Sequence, residues 1–342
     1  MKAGHVTAVG EPEDAIEIVD VETPVPGPDE VRIEVKACGV THADVFALKG
    51  HPGSEDAFPR RGGSEIAGVV DAVGEGVSAL QTGDRVNVYH RKTCGECEWC
   101  LNGEHTMCTD QQKIGADIPG GFAEYVVVPA WSVDPIPDDM SMATAGAYAS
   151  SFTTAWRMMA TAGDLRPAES ALVLGASGGV GNAALQIAER IGADTYAATS
   201  TDEKAAFVSQ WADEVIDYTD VDFAEAIADL TDGRGVDLVA DHVGQETWQT
   251  SIDSLAMNGR MVICGATSGP DPDIDIRSIY QRHRKIIGAP LGNRQDFRDV
   301  GRLIADGDLE PQIQRVLPLE RLSEAYRILA DREARGKVVI EP

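Results

Sequence analysis

At 342 residues the chain exceeds the size at which a single hydrophobic core stops growing, so two domains are expected. Hydrophobic residues make up 43% and charged residues 25%, ordinary globular values, and no run approaches the roughly 20 apolar residues that a membrane span requires. Asp and Glu number 56 against 29 Lys and Arg, a formal net charge of -27, and a surface of that sign repels nucleic acid and anionic lipid.

The acid excess reads as a solubility device suited to concentrated salt, where a Debye length of about 3 Å at 1 M screens self-repulsion. Its signature is loss of folding at low salt, a halophilic trait. The chain opens directly on a strand-like pattern, without the apolar core or small-residue cleavage site of a secretory leader, and a cytoplasmic location is expected.

In chain order, the N-terminal part is rich in strands and turns: Val31–Ala37 alternates, Ile66–Val73 and Arg85–Val88 are short apolar runs, and Gly and Pro punctuate them. A small irregular barrel is predicted. Within it, Cys94, Cys97, Cys100 and Cys108 put four of the six cysteines into fifteen residues. Thiolates at such spacings wrap a tetrahedral Zn²⁺ and leave no open position for substrate, which makes a closed, structural site. Two disulfides are disfavoured in a reducing compartment, and the three-cysteine run superficially invites an iron–sulfur cluster. Cys38 and Cys264 lie in apolar strand contexts and read as buried small side chains.

From about Ala143 through Ala162 the sequence is helix-compatible, and beyond it strands and helices alternate. The strand candidates are Ala171–Leu174, Thr195–Ala198, Glu214–Ile216, Leu238–Ala240, Met261–Cys264 and Lys285–Ile287; helical patterns include Asn182–Ile191 and Lys204–Trp211. This order predicts a doubly wound parallel sheet. The tail from Asn293 holds two short amphipathic helices and a closing strand, Lys337–Ile340, that returns to the first domain.

The first of those strands runs into Gly175, Ala176, Ser177, Gly178, Gly179, Val180 and Gly181 and then into a helix that stops at Gly192. A buried strand, a glycine turn that lets backbone approach a pyrophosphate, and a helix N-terminus with free N–H groups are the parts of a dinucleotide site. About 20 residues on, a carboxylate at the second strand end would hold ribose hydroxyls and favour NAD. This chain has Thr199, Ser200 and Thr201 there, with Lys204 one helical turn away, so NADP(H) is preferred over NAD(H). Asp202 and Glu203 argue the other way, although both also suit the first turn of a helix.

The segments Gly39-Val40-Thr41-His42-Ala43-Asp44, Gly62-Gly63-Ser64-Glu65-Ile66-Ala67-Gly68 and Gly83-Asp84-Arg85-Val86, together with the cysteine lobe and Gly178-Gly179-Val180-Gly181, resemble the medium-chain dehydrogenase/reductase superfamily over nearly the whole chain. The resemblance implies a GroES-like β-barrel catalytic domain over residues 1–150 with the zinc lobe at 94–108, and a Rossmann coenzyme domain over 151–292. A return to the catalytic domain over 293–342, an active site in the cleft, and a homodimer or homotetramer acting on a small molecule are also implied. In the zinc alcohol dehydrogenases of that superfamily, two cysteines and a histidine hold a catalytic zinc. At the matching positions stand Thr41, Ser64 and Ser150. Neutral hydroxyls are poor Zn²⁺ ligands, and a rescue by His42, Asp44 and Glu65 needs three well-placed groups plus an open position.

The expected site therefore consists of Thr41, Ser64 and Ser150 orienting a substrate carbonyl, with Asp44 and Glu65 structuring the site. In relatives, a basic residue at the position of His42 contacts the cofactor pyrophosphate. The resemblance also suggests that Asp241-His242-Val243-Gly244 and Cys264-Gly265-Ala266-Thr267 end coenzyme-domain strands and face the cofactor, in agreement with ligand binding at the carboxyl ends of parallel strands, with His242 a hydrogen-bonded strand-end residue or a proton donor. Loss of the metal shifts the expected chemistry toward conjugate reduction of enones or quinones, which hydrogen-bond donors can support. Alcohol oxidation or carbonyl reduction through another donor is one alternative, and a non-catalytic NADPH-binding sensor is another.

Overall fold

A computed structural model describes residues 1–50 and 58–342. They divide into two compact units: residues 1–151, 293–305 and 310–342 form one, and residues 152–292 and 306–309 form the other. No helix among the described residues is long and apolar enough to cross a membrane.

The second unit is built on a six-stranded parallel sheet, in the spatial order Glu214–Asp217, Asp194–Thr199, Ser170–Val173, Val236–Asp241, Leu255–Ile263, Lys285–Gly288. The order runs outward in both directions from Ser170–Val173 and Val236–Asp241, and the crevice at such a switch point is where dinucleotides bind. Ser170–Val173 is buried throughout, as a central parallel strand covered by helices must be. Leu172, Leu174, Ala198, Ile216, Phe223, Ile227, Val239, Ile252 and Met261 make the core around it. The helix Gly179–Ile191 buries Ala183, Ala184 and Ala188 beside Leu185 and Ile187, and those small side chains let its axis lie close to the sheet.

The first unit carries a seven-stranded, mainly antiparallel sheet, in the order Ile313–Pro318, Lys337–Glu341, Glu30–Gly39, Glu65–Val73, Arg85–Val88, Val133–Pro135, with Tyr125–Pro129 also paired to Glu30–Gly39. The ten-residue strand Glu30–Gly39 pairs with Tyr125–Pro129 at its start, and its end lies against Lys337–Glu341. Ile33, Val35, Ile66, Val86, Val88, Phe122, Val126 and Tyr326 fill the core beneath it. The hydrogen-bonded path among the described residues is open rather than closed into a ring, with edges at Ile313–Pro318 and Val133–Pro135.

Several elements differ from their sequence patterns for local reasons. The run expected to be helical from Ala143 to Ala162 is broken into Met142–Ala145, Ser151–Trp156 and a π-helical turn over Arg157–Thr161, because Gly146 caps the first piece. The helix expected to reach Trp211 ends at Val208. The strand expected at Met261–Cys264 begins earlier, at Leu255, and stops at Ile263. Asn258, at φ +62°, and Gly259 lie inside it, a pair that reads as a turn in sequence.

Candidate cofactor loop, thiol cluster and hydroxyl site

In the Rossmann unit, the loop after Ser170–Val173 is fixed by backbone that only glycine tolerates. Gly175 has φ +54°, and a Cβ on Gly181 would stand 2.4 Å from the Gly175 carbonyl oxygen. Gly178 caps the following helix without a side-chain hydrogen bond, so the first N–H groups remain for an anion, and Ala176 and Ser177 are buried beneath the turn. This arrangement fits a nicotinamide dinucleotide's pyrophosphate.

At the next strand end Thr199 is buried, and Lys204 Nζ donates to Ser200 Oγ at 3.2 Å. Thr201 caps the helix Asp202–Val208 by accepting from Lys204 N at 3.3 Å, so Asp202 and Glu203 fall in the first turn of that helix. Asp217, which pairs with Thr199 on the adjoining strand, is held by Thr219 N at 2.9 Å and Thr219 Oγ1 at 2.6 Å.

The loops after the fourth and fifth strands are zipped together: Thr267 N donates to the His242 carbonyl, Ser268 N to the Val243 carbonyl and Gln245 N to the Gly269 carbonyl. Gly265 and Ala266 lie in this connection, with Gly265 exposed. Asp241 anchors it. Its fully buried carboxylate accepts from Val243 N, Gly244 N, Thr247 Oγ1 and Ser251 Oγ, and that satisfies both oxygens. His242 departs from the hydrogen-bonded role expected of it. Its Nδ1 is buried without a partner among the described residues, its ring packs over Gly175, and burial lowers its pKa.

In the first unit the Sγ atoms of Cys94, Cys97, Cys100 and Cys108 lie within 4.8 Å of one another, with Cys94 to Cys108 at 3.5 Å and Cys94 to Cys100 at 3.9 Å. Zn–S bonds of about 2.3 Å in a tetrahedron give S–S edges of about 3.8 Å, so the four thiols fit zinc closely. All six cysteines are free of disulfides. A backbone N–H from Cys100 draws the Cys97 thiol down to about 7, whereas burial pushes Cys100 up to about 12.

The three hydroxyl positions sit on segments stapled together by two buried carboxylates. Thr41 is the N-cap of the helix His42–Leu48, and Asp44 Oδ2 accepts from Thr41 N at 2.9 Å and Thr41 Oγ1 at 2.8 Å. Asp44 Oδ1 accepts from Gly63 N at 2.9 Å, which ties that helix to the residue before Ser64. Burial raises the Asp44 pKa against the pull of these donors. Glu65 Oε1 accepts from Ser150 N at 3.0 Å, Ser151 N at 2.7 Å and Ser151 Oγ at 2.8 Å. Lys337 Nζ lies 2.7 Å from Glu65 Oε2 and donates to the Val40 carbonyl at 3.0 Å. Both ends of this pair are buried, Glu65 wholly and Lys337 to 4% exposure. Thr41, Ser64 and Ser150 are partly exposed, and His42 at the helix start is exposed.

Sequence reasoning missed Lys337, Ser151 and His90, and it gave Asp241 as a strand-end residue facing the cofactor rather than as the buried anchor of the two loops. A lysine opening the apolar run Lys337-Val338-Val339-Ile340 was the available signal for the first, since such a charge requires a buried partner. His90 is buried, and its Nδ1 lies 2.9 Å from the Ala149 carbonyl. Among the described residues the four cysteines are the one cluster of three or more His, Cys, Asp or Glu able to hold a metal; His42, Asp44 and Glu65 do not form another.

A parallel sheet of this order with a glycine loop at its switch point, on a chain that also carries a four-thiol lobe, defines a nucleotide-dependent oxidoreductase. Residues 179–306 match the family described as zinc-binding dehydrogenase, and residues 27–138 match the alcohol dehydrogenase GroES-like domain. The chain is 32% identical to an acryloyl-coenzyme A reductase of Sulfurisphaera tokodaii over 97% of its own length and 98% of that protein. It is 31% identical to an alcohol dehydrogenase of Geobacillus stearothermophilus over 100% of its length and 99% of that one. A crystal structure of an NAD-dependent alcohol dehydrogenase superposes with a TM-score of 0.95 at 36% identity, with 100% of both chains covered. The chain belongs to the zinc-binding dehydrogenases of the medium-chain dehydrogenase/reductase superfamily, with its Rossmann and GroES-like parts, and is an NAD(P)-dependent oxidoreductase.

Proposed function

We propose that the chain is an NADP(H)-dependent reductase of activated alkenes or quinones that works without a catalytic zinc. The observation that carries this reading is the state of the carboxylates beside the three hydroxyls. Asp44 is engaged by Thr41 and Gly63, and Glu65 by Lys337, Ser150 and Ser151, so neither stands free to join a metal. The cysteine lobe would hold zinc with all four positions filled, which suits structure rather than chemistry.

Bound at the glycine loop, the dinucleotide supplies a hydride. The chain's part is to hold the acceptor: hydroxyls of Ser64 and Ser150 donate to its carbonyl oxygen, where negative charge develops on conjugate reduction, whereas Thr41, expected to join them, gives its one hydroxyl proton to Asp44. Asp44 and Glu65 fix the segments that present those hydroxyls. The resemblance assigns His42 to the pyrophosphate, and Ser200 with Lys204 would hold a 2′-phosphate. The acryloyl-coenzyme A reductase relative, whose name states reduction of an activated alkene, supports this choice.

Steady-state assays with acryloyl-coenzyme A, simple enones, quinones, aldehydes and primary alcohols, run with and without chelator, test the reading. Chelator-insensitive NADPH oxidation by an enone, thioester or quinone is expected. Chelator-sensitive alcohol oxidation would establish the second reading, an alcohol dehydrogenase, which the alcohol dehydrogenase relatives favour. Binding of NADPH with no turnover of any substrate would leave the sensor alternative. For the cofactor, Lys204→Glu is expected to raise KM for NADPH at least about tenfold and to change KM for NADH little, because it replaces the phosphate's counter-charge by a like charge. Light scattering distinguishes the dimer from the tetramer that belongs to the same reading.

A further inference from the structure

We infer that His90 determines substrate specificity: its Nε2 accepts a hydrogen bond from a hydroxyl or N–H that the substrate carries beside the carbonyl held by the serines. The inference rests on the proposed function for the identity of that carbonyl.

A carbonyl oxygen can only accept, so the 2.9 Å contact between His90 Nδ1 and the Ala149 carbonyl places the ring proton on Nδ1. Burial, reinforced by the charge of Arg91, pushes the imidazole down to about 3, and the ring is neutral at ordinary pH. Its Nε2 is therefore an unprotonated acceptor. That atom is buried and has no donor among the described residues, although the side chain as a whole is 3% exposed. The guanidinium of the adjoining Arg91 donates instead to Gln111.

Two observations put this acceptor at the hydroxyl site. Ala149, which orients the ring, immediately precedes Ser150. The antiparallel ladder pairs Ile66 with Val88 at its end, and Ser64 and His90 each lie two residues beyond that pair, at the same end of the two strands. The ring of His90 is thus tied to the segment that carries Ser150, and its strand ends beside the one that Ser64 precedes. A metal would be an alternative occupant, but no further metal-ligating residues gather with it among the described residues. A phenylalanine would fill the space without an orphaned acceptor, and the unpaired Nε2 of His90 points to a donor that arrives with the ligand. A buried polar group of this kind discriminates strongly, because an analogue that lacks the donor leaves it unpaired.

The test compares methyl vinyl ketone with hydroxymethyl vinyl ketone, the same acceptor with and without a hydroxyl next to the carbonyl. Wild type is expected to favour the hydroxylated ketone in kcat/KM by about tenfold to a hundredfold, a ratio that His90→Phe abolishes and His90→Asn, which keeps an acceptor, partly restores. In protein labelled with ¹⁵N-histidine, the unprotonated Nε2 resonance that disappears in His90→Phe is expected to move when hydroxymethyl vinyl ketone is added with NADP⁺, and not with methyl vinyl ketone. When either ketone is reduced, the kinetic ratio decides, and an equal ratio in wild type and His90→Phe overturns the inference. When neither is reduced, the proposed function falls and the resonance decides: a shift specific to the hydroxylated probe upholds the acceptor, and an unmoved resonance overturns it.

Discussion

A buried carboxylate persists only where something offsets its desolvation, and at Glu65 that is Lys337 together with three donors from Ser150 and Ser151. Lys337→Met should cost about 3–5 kcal/mol, because it strands the carboxylate, while the double variant Glu65→Gln with Lys337→Met should recover much of that loss. Urea denaturation of the two single variants and the double variant measures the coupling, and strictly additive losses would count against the pair. His90 makes a second prediction at this scale. Its imidazole titrates near 6.5 when unfolded and at about 3 when folded, so between those values the unfolded chain binds the extra proton and stability falls as pH falls. At about 1.4 kcal/mol per pH unit, wild type should lose roughly 2 kcal/mol from this group between pH 6.5 and 5, a loss absent from His90→Phe. Denaturation curves at the two pH values check it.

Among the elements, those with local causes were legible. Arg85–Val88 has the bounds its apolar run suggests, and the glycine loop follows its strand because tight turn, pyrophosphate approach and helix packing each demand glycine at a fixed offset. The four thiols also declared themselves, since chelate spacing is a local property. Treatment with a strong chelator is expected to remove one zinc per chain and to expose the lobe near Trp99 to proteolysis, while leaving amides of Ser170–Val173 protected from exchange. Loss of protection throughout would contradict a local structural role. Elements whose cause is distant were hidden. Ile313–Pro318, in which only Leu317 is buried, is a strand because Lys337–Glu341 lies beside it in parallel register, and Leu255–Met257 joins the sheet despite the turn-like Asn258-Gly259 that follows.

For the whole molecule, the net charge of -27 dominates the response to solvent. Self-repulsion reaches across a Debye length of about 30 Å at 0.01 M salt and only about 3 Å at 1 M. The unfolding midpoint should therefore rise by several degrees between those two concentrations of KCl, as measured by calorimetry; an unchanged midpoint would refute a halophilic reading of the surface. The sequence by itself determined the oxidoreductase family, the doubly wound sheet with its nucleotide loop and the thiol cluster, and through the resemblance it set the expectation that Thr41, Ser64 and Ser150 stand where relatives hold a catalytic metal. Each of these rests on residue types at short, fixed spacing. Only the tertiary structure decided what the neighbouring polar groups do: that Glu65 pairs with Lys337, that Lys337 reaches Val40 across 297 positions of sequence, and that His90 Nδ1 meets the Ala149 carbonyl while its buried Nε2 has no partner among the described residues. The reason is physical. Burial and pairing of charge are set by which distant strands share a ladder, and that register appears only when the chain is folded.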